Sequence, residues 1–534
     1  MKEFDYIIIG GGSAGCVLAN RLSEDPKVQV CLLESGPKES LIAQTPLMLA
    51  TAMADPQRNW NRQTVPQPHL NGRRLYQPSG RGLGGGSAIN SMVYVRGYRT
   101  DYDAWLAAGN AGWGWNDVLP YFRKSESHET GGSALHGDDG PLSVSHLRHV
   151  EKPTQVLLDA ARECGYPVVD DFASGEAEGV GLFQVTQRRG LRCSAARAYL
   201  RGIRHRNNLL VRTGCHATRI SIDQARRANG VEYRSGNHSA SLVARREIVL
   251  SAGAVISPQL LMLSGIGHQQ HLAKQGINCT QHLPGVGENF QDHLDVAMSF
   301  DVKNNFGLGI SPQVMPRLIG GFFRFYLGDR RGIFASNVVE GGGFIRTNPE
   351  LVAPDIQFHF ITGNASNNGR KILTGHGITL AACVLRPESR GHIRLPNQDP
   401  MAAPLIDPQF LSSERDLETM ISGVKAVKKI LTSNAFSPWR LNQRAPDFEL
   451  SDEQAIIEHI RANAGTAYHP SGTCKMGPAA DEMAVVDPSL RVHGIRGLRV
   501  ADTSIMPDII SGNTNAAAMM IGEKASDLIK TDWH

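Results

Sequence analysis

Near its start the chain carries a β-rich apolar run, FDYIII (residues 4–9), followed by GGGSAG and then CVLANRLSE, whose apolar positions recur at helical spacing. That order predicts a strand, a tight turn and a helix. A second apolar run, VQVCLL (28–33), ends at Glu34 and predicts the next strand. Further on, REIVLSAGAVISPQLLMLSGIG (246–267) predicts another strand, a small-residue turn and a helix closed by Gly265. By itself it fits a plain βα unit and a second cofactor contact equally well. GRGLGGGSAINSMVYVRG (80–97) combines many glycines with a β-branched and aromatic run, the pattern of a loop pressed against a ligand and leading into a buried segment. A glycine-rich turn without a ligand is the other reading of that stretch.

The most membrane-like segment, VMPRLIGGFFRFYL (314–327), carries two arginines and falls short of the roughly 20 apolar residues that span a bilayer. It reads as a buried or lid helix, or as an amphipathic surface that touches a membrane, and not as a span.

Composition narrows the class. At 534 residues the chain exceeds one ordinary core, and 41% hydrophobic with 20% charged residues is a soluble globular balance. A net charge of +4, with both signs interspersed, leaves no nucleic-acid footprint. The eight cysteines are widely spaced, with no Cys-x-x-Cys pair, which fits reduced thiols and neither a disulfide framework nor a metal site. The N-terminus passes straight into folded-looking sequence, so the expected location is cytoplasmic, with at most peripheral contact at the inner face of the cytoplasmic membrane.

Gly10, Gly12 and Gly15 form a G-x-G-x-x-G on the first strand-to-helix turn. Glycines there permit a tight turn and close approach to a pyrophosphate, while the helix N-terminus offers N–H groups to the anion. Glu34 lies 19 residues beyond Gly15 (34 − 15), where an acid accepts the hydrogen bonds of an adenosine ribose and repels a 2′-phosphate. FAD and NAD fit; NADP does not. GGSAG (11–15) also matches the G-x-S-x-G elbow of α/β-hydrolases, but only one strand precedes Ser13, whereas that elbow follows several.

GGGSAG with Glu34, GRGLGGGSAIN, SAGAVISPQLLMLSGIG, PGVGENFQDHL (284–294), YHPSGTCKMG (468–477) and RVADTSIMPDIISGNTNA (499–516) stand in an order that resembles the glucose–methanol–choline (GMC) oxidoreductases, from residue 5 to about residue 528. Within the family the chain is most similar to bacterial FAD-dependent alcohol dehydrogenases of the alkanol-oxidising type. The resemblance implies a mixed α/β and α+β architecture: a Rossmann-like FAD domain from residues 1–150, 195–300 and 456–534, and a substrate domain from 151–194 and 301–455 whose antiparallel sheet roofs the isoalloxazine. It implies Gly10, Gly12, Ser13 and Ala14 at the pyrophosphate, Glu34 at the ribose and Thr218 near the adenine. Asn90, Ser91, Met92 and Val93 would pass the reactive edge of the flavin. Asp502 would sit near the ribityl chain, with Asn513 and Thr514 on the pyrimidine side. Some members attach FAD through a histidine just before that asparagine; Ile89 stands there, so noncovalent FAD is expected.

Alcohol oxidation needs a base for the hydroxyl proton, a group to fix the oxygen, and the α-carbon held for hydride transfer to flavin N5. Histidine suits the base role, since its ordinary pKa near 6.5 leaves the neutral form available. His469 is the candidate, with Pro470 restricting its backbone. The resemblance implies that Asn513, 44 residues on (513 − 469), is the second member of a His/Asn pair; an asparagine cannot take a proton and would hold the substrate oxygen. His493, Cys474 and Lys475 are read as structural or solvent-facing. Glu340, in SNVVEGGGF, is a substrate-pocket candidate or a structural hydrogen-bonding group. The phenylalanine-rich segment 322–326 and an aromatic share of only 6% favour an apolar pocket or entry over a cation cage, hence a primary alcohol with an aliphatic or aryl tail, ahead of choline or a polyol such as sorbose. The electrons would leave to a quinone-like acceptor, with O₂ as the alternative. A flavin-binding protein without turnover is disfavoured because His469 and Asn513 are both present.

Overall fold

The structure is a computed structural model that describes residues 2–40, 42–303, 306–366, 371–372, 375–443 and 448–533. Strand β1 (Lys2–Ile9), helix α1 (Ser13–Leu22) and strand β2 (Val30–Leu33) form the expected first unit. Their burial follows from sequence: Ile7 and Ile8 are fully enclosed, as an apolar run in a parallel strand covered on both faces must be. β1 pairs in parallel with β2 and with Glu247–Leu250 of a long strand, His238–Leu250; Leu209–Arg212 and Leu498–Val500 extend the parallel layer on either side. The same long strand also pairs antiparallel with Ala228–Ser235, which pairs with His216–Ile222. Helix α2 (Gly253–Leu263) follows it, and Gly265 closes it at φ +83°.

The second sheet runs Arg440–Gln443, Leu294–Val302, Gly375–Val384, Ile356–Ile361, Val339–Ile345, Gly179–Leu182, all antiparallel. Strand alternation divides its two faces. Val296, Met298, Phe358, Phe360, Ile378 and Leu380 enter a core shared with the helix Glu414–Leu431. Asp295, Ala297, Ser299, Asp301, His359 and Ile361 face a cavity between the two sheets. The seven strands of the first sheet all lie within residues 1–150, 195–300 and 456–534, but two boundaries need correction. The division at residue 300 cuts the strand Leu294–Val302, whose ladder with Gly375–Val384 runs unbroken from Asp295 to Asp301. Gly465–Thr466, expected in the FAD domain, pairs with Leu294–Asp295 and so belongs to the second sheet.

The segment 314–327 is mostly helix α3 (Met315–Leu327). Within the helix only Phe325 is buried, which excludes the buried-helix reading. Among the described residues no helix is long and apolar enough to cross a membrane.

Candidate active site

A cavity of about 1190 Å³ lies between the sheets. Gly10, Gly12, Ser13 and Ala14 line one end, where β1 turns into α1. The turn is this tight because Gly15 packs on the preceding loop: a Cβ there would stand 1.9 Å from the Gly10 carbonyl oxygen. Gly12 and Gly86, by contrast, face the cavity, and a Cβ on either would meet almost nothing within 4 Å. Bare backbone beside a helix N-terminus that carries no acid in its first turn is a cradle for a pyrophosphate. Glu34 also lines the cavity; its Oε2 accepts from Gly11 N–H at 2.8 Å and its Oε1 from Gly36 and Gly82 N–H at 2.7 and 2.9 Å. Ser35 Oγ–H adds a long contact to Oε1 at 3.4 Å, while Oε2, which accepts from Gly11 N–H, keeps a second lone pair for a ribose hydroxyl. These residues fit a dinucleotide such as FAD.

Asn90, Ser91 and Val93 line the cavity. Met92 does not: it is wholly buried, at φ +62°, with its carbonyl accepting from Thr186 N–H. Thr218 is also off the lining. It falls at a register shift in the strand His216–Ile222, and Cys215, His216 and Ala217 face the cavity in its place. Asp502 and Thr514 line the cavity, and Asp502 is held by Ser257 Oγ–H at 2.6 Å and by the N–H groups of Gly253 and Ser504. Of its two readings, Glu340 takes the structural one. Its buried carboxylate accepts from Glu151 N–H and Thr154 Oγ1–H, both at 2.7 Å, and from Ser336, so it anchors the start of the helix Lys152–Glu163 and does not reach the cavity.

His469 and Asn513 meet across the cavity wall at 3.1 Å, Nε2 to Nδ2. Two histidines not anticipated from sequence complete the group. His293 Nδ1 lies 2.9 Å from His469 Nδ1, and His359 Nε2 lies 3.4 Å from Asn513 Nδ2. The hydrogen-bond partners then assign the protons of His293 and His469. His293 Nε2 faces the Leu385 carbonyl at 3.1 Å and must donate to it. Neutral His293 therefore accepts at Nδ1, and His469 must donate from its own Nδ1. The Nε2 lone pair of His469 is left to accept from Asn513. Gln357 Nε2–H donates to Asn513 Oδ1 at 3.0 Å and turns the amide so that its NH₂ meets both imidazoles.

Burial keeps the three rings neutral. It drives His469 well below its usual pKa, with the neighbouring His293 and His359 adding to the shift, and lowers His293 to about 3 and His359 to about 4. Asp292 holds the adjacent backbone in place. Its Oδ1 accepts from His469 N–H at 2.7 Å and from His293 N–H at 2.9 Å, and its Oδ2 from Gln77 and Thr466. Burial raises Asp292 to about 6, and these four donors favour its ionised form at neutral pH.

Cys474 is buried with its thiol pushed well up, and Lys475 pairs with Asp481 at 2.7 Å, so neither enters the group. Glu126, His128 and His136 have a metal-like composition, but Arg96 pairs with Glu126 at 2.7 Å. His136, bound to Asp171 and Glu126, is raised to about 9 and carries a proton where a metal needs a lone pair.

The signal for the missed residues was present in the chain. Gln357 and His359 break an apolar strand at alternate positions, and Asp292-His293 sits inside the PGVGENFQDHL motif.

A dinucleotide cradle joined to a buried, neutral histidine beside an amide, beneath an antiparallel roof, is the arrangement of an oxidoreductase of the flavoenzyme type. The family description GMC oxidoreductase matches residues 4–295 and, in its C-terminal part, 387–522. The alcohol dehydrogenase [acceptor] of Pseudomonas putida is 43% identical over 530 residues, 98% of this chain and 95% of that protein. The mitochondrial choline dehydrogenase of Homo sapiens is 41% identical over 536 residues, 99% of this chain and 90% of that one. Among solved structures, the formate oxidase of Aspergillus oryzae, whose FAD undergoes modification, superposes with a TM-score of 0.91 at 27% identity, covering 99% of this chain and 98% of its own. The chain belongs to the GMC oxidoreductases, which are FAD-binding flavoproteins.

Proposed function

We propose that the protein oxidises a primary alcohol to its aldehyde and passes the electrons to a quinone-like acceptor, with noncovalently held FAD. The carrying observation is the His469 Nε2 lone pair, 3.1 Å from Asn513 Nδ2 at the cavity wall. An alcohol placed between them exchanges that bond for two: its hydroxyl donates to His469 Nε2, and its oxygen accepts from Asn513 Nδ2–H. His469 takes the hydroxyl proton while the α-carbon gives up a hydride, and the oxygen becomes the aldehyde carbonyl. FAD, when bound, supplies the acceptor for that hydride. His293 Nδ1 continues to accept from His469 Nδ1–H, so the imidazolium forms without turning its ring. Gly10, Gly12, Ser13, Ala14, Glu34 and Asp502 would hold the cofactor, with Asn90, Ser91, Val93 and Thr514 around its reactive end.

Leu47, Leu49, Met53, Leu308, Leu318, Ile333 and Val338 give the cavity an apolar arm, which supports an aliphatic or aryl tail over a quaternary ammonium. Glu340 offers no counter-charge to such a cation. Ile89, which lines the cavity, carries no nucleophile for covalent attachment. Contact with the cytoplasmic membrane is peripheral in this reading.

The deciding experiment sets alkanols, benzyl alcohols, choline and sorbose against the purified protein with a quinone analogue and with O₂. Alkanol or benzyl alcohol turnover with the quinone supports the reading. Preference for choline or sorbose, or faster reoxidation by O₂, overturns the substrate or the acceptor respectively.

A further inference from the structure

Helix α3 is inverted relative to an ordinary surface helix. Met315, Ile319, Phe323 and Leu327 form one row at four-residue spacing, with Phe322 and Tyr326 beside it, and all six are exposed; Leu327 is 79% and Phe323 55% accessible. The helix is nevertheless seated firmly. Tyr326 Oη bonds Thr45 Oγ1 at 2.8 Å, a Cβ on Gly321 would lie 2.7 Å from Ile333 Cγ2, and Arg317 pairs with Glu151. Six large apolar side chains held outward on a rigid helix form a contiguous patch of the kind that marks an interaction site.

Charge and position select the occupant. Residues 315–335 carry Arg317, Arg324, Arg330 and Arg331 against Asp329 alone. Arg148 joins them through the Asp329 carbonyl at 3.1 Å, and exposed Arg188 and Arg189 lie beside Gly190, which packs on Arg330. An apolar row with a fringe of arginines is complementary to an anionic bilayer: the row enters the acyl boundary and the fringe meets the headgroups. The reverse side of the same elements is cavity wall, since Leu318 and Ile333 line the apolar arm together with Leu47, Leu49 and Met53.

We infer that the outward face of α3 seats on an anionic lipid bilayer and turns the apolar arm of the active-site cavity toward the lipid phase, from which a lipophilic reactant enters. The inference deepens the peripheral-contact reading above, and lipid binding by itself does not depend on the identity of the alcohol.

FAD-loaded protein is sedimented with vesicles of phosphatidylcholine alone and of phosphatidylcholine with phosphatidylglycerol, alongside the variant Phe323→Glu/Leu327→Glu. The wild type is expected to bind the anionic vesicles at least 10-fold more strongly than neutral ones, and less strongly in high salt. The variant is expected to lose at least 10-fold of that binding while keeping its melting temperature and its turnover with a water-soluble ferricenium acceptor, and to lose turnover with a long-chain quinone carried in the vesicles. Equal binding of wild type and variant, or none by either, overturns the inference. A wild-type dimer in solution that the variant makes monomeric also overturns it, because the patch then belongs to a second copy. Vesicle binding with no alcohol turnover by any acceptor defeats the alcohol reading and leaves the docking surface standing.

Discussion

One proton lies between Nδ1 of His293 and Nδ1 of His469, 2.9 Å apart, and its place on His469 leaves the Nε2 lone pair of that ring facing Asn513 at the cavity wall. In the proposed mechanism His293 is a positioning residue that acts through His469. His293→Leu is therefore expected to lower kcat on the order of 10²-fold with little change in KM, since the ring loses both its tautomer and its orientation. His293→Asn, whose Oδ1 can accept the same proton, should recover much of the loss. Steady-state kinetics of the pair checks this; equal losses would reduce His293 to packing.

Removing the base itself should leave the cofactor in place. In anaerobic stopped flow, His469→Ala is expected to show an unchanged flavin spectrum and reduction by alcohol at least 10²-fold slower, roughly the contribution of a general base. Undiminished reduction would remove His469 from the mechanism.

If His469 is the base, as proposed, it is already neutral well below the ordinary histidine range, so kcat/KM should stay level from about pH 8 to below pH 6.5, with its acid limb lower still. A limb centred near pH 7 would contradict the burial argument.

Stability should follow the same groups. His293 and His359 have folded values of about 3 and about 4, below the ordinary 6.5. Between those limits the unfolded chain binds protons that the folded one refuses, so their contribution is present above pH 6.5 and is lost as pH falls. Asp292 has the opposite sign: raised to about 6 from 3.8, it takes up a proton in the fold first and opposes part of the loss. The melting temperature should fall between pH 7 and pH 4.5, and His359→Gln should flatten the slope.

Cofactor retention tests the cradle. Gly15→Ala places a methyl group 1.9 Å from a backbone oxygen, an overpacking expected to cost about 1–3 kcal/mol and to loosen FAD. Thermal melting and FAD fluorescence after desalting measure both effects. In the wild type, acid precipitation should release all the flavin into the supernatant, because Ile89 offers no atom for a covalent link.

The β1–α1–β2 unit and the helix after Leu250 were legible because each rests on local rules, apolar runs and glycine turns, whereas His469 and Asn513 were paired across 44 residues only through the family resemblance. Glu340 shows where such rules stop. A carboxylate in a glycine-rich strand looks available to a ligand until the fold brings the N-terminus of the helix Lys152–Glu163 onto it. The helix at 315–327 was equally ambiguous, since its apolar spacing is the same whether that face meets a core or stands open.

What the sequence determined alone is the chemistry on offer: a turn that only glycine can make, an acid at the end of the second strand, and a histidine followed by proline. What the tertiary structure decided is how those groups are aimed. His293, His359, Gln357 and His469 come from strands and loops up to 176 residues apart, and only their convergence assigns each proton. Hydrogen-bond direction depends on partners, and partners distant in the chain are chosen by sheet register rather than by local sequence.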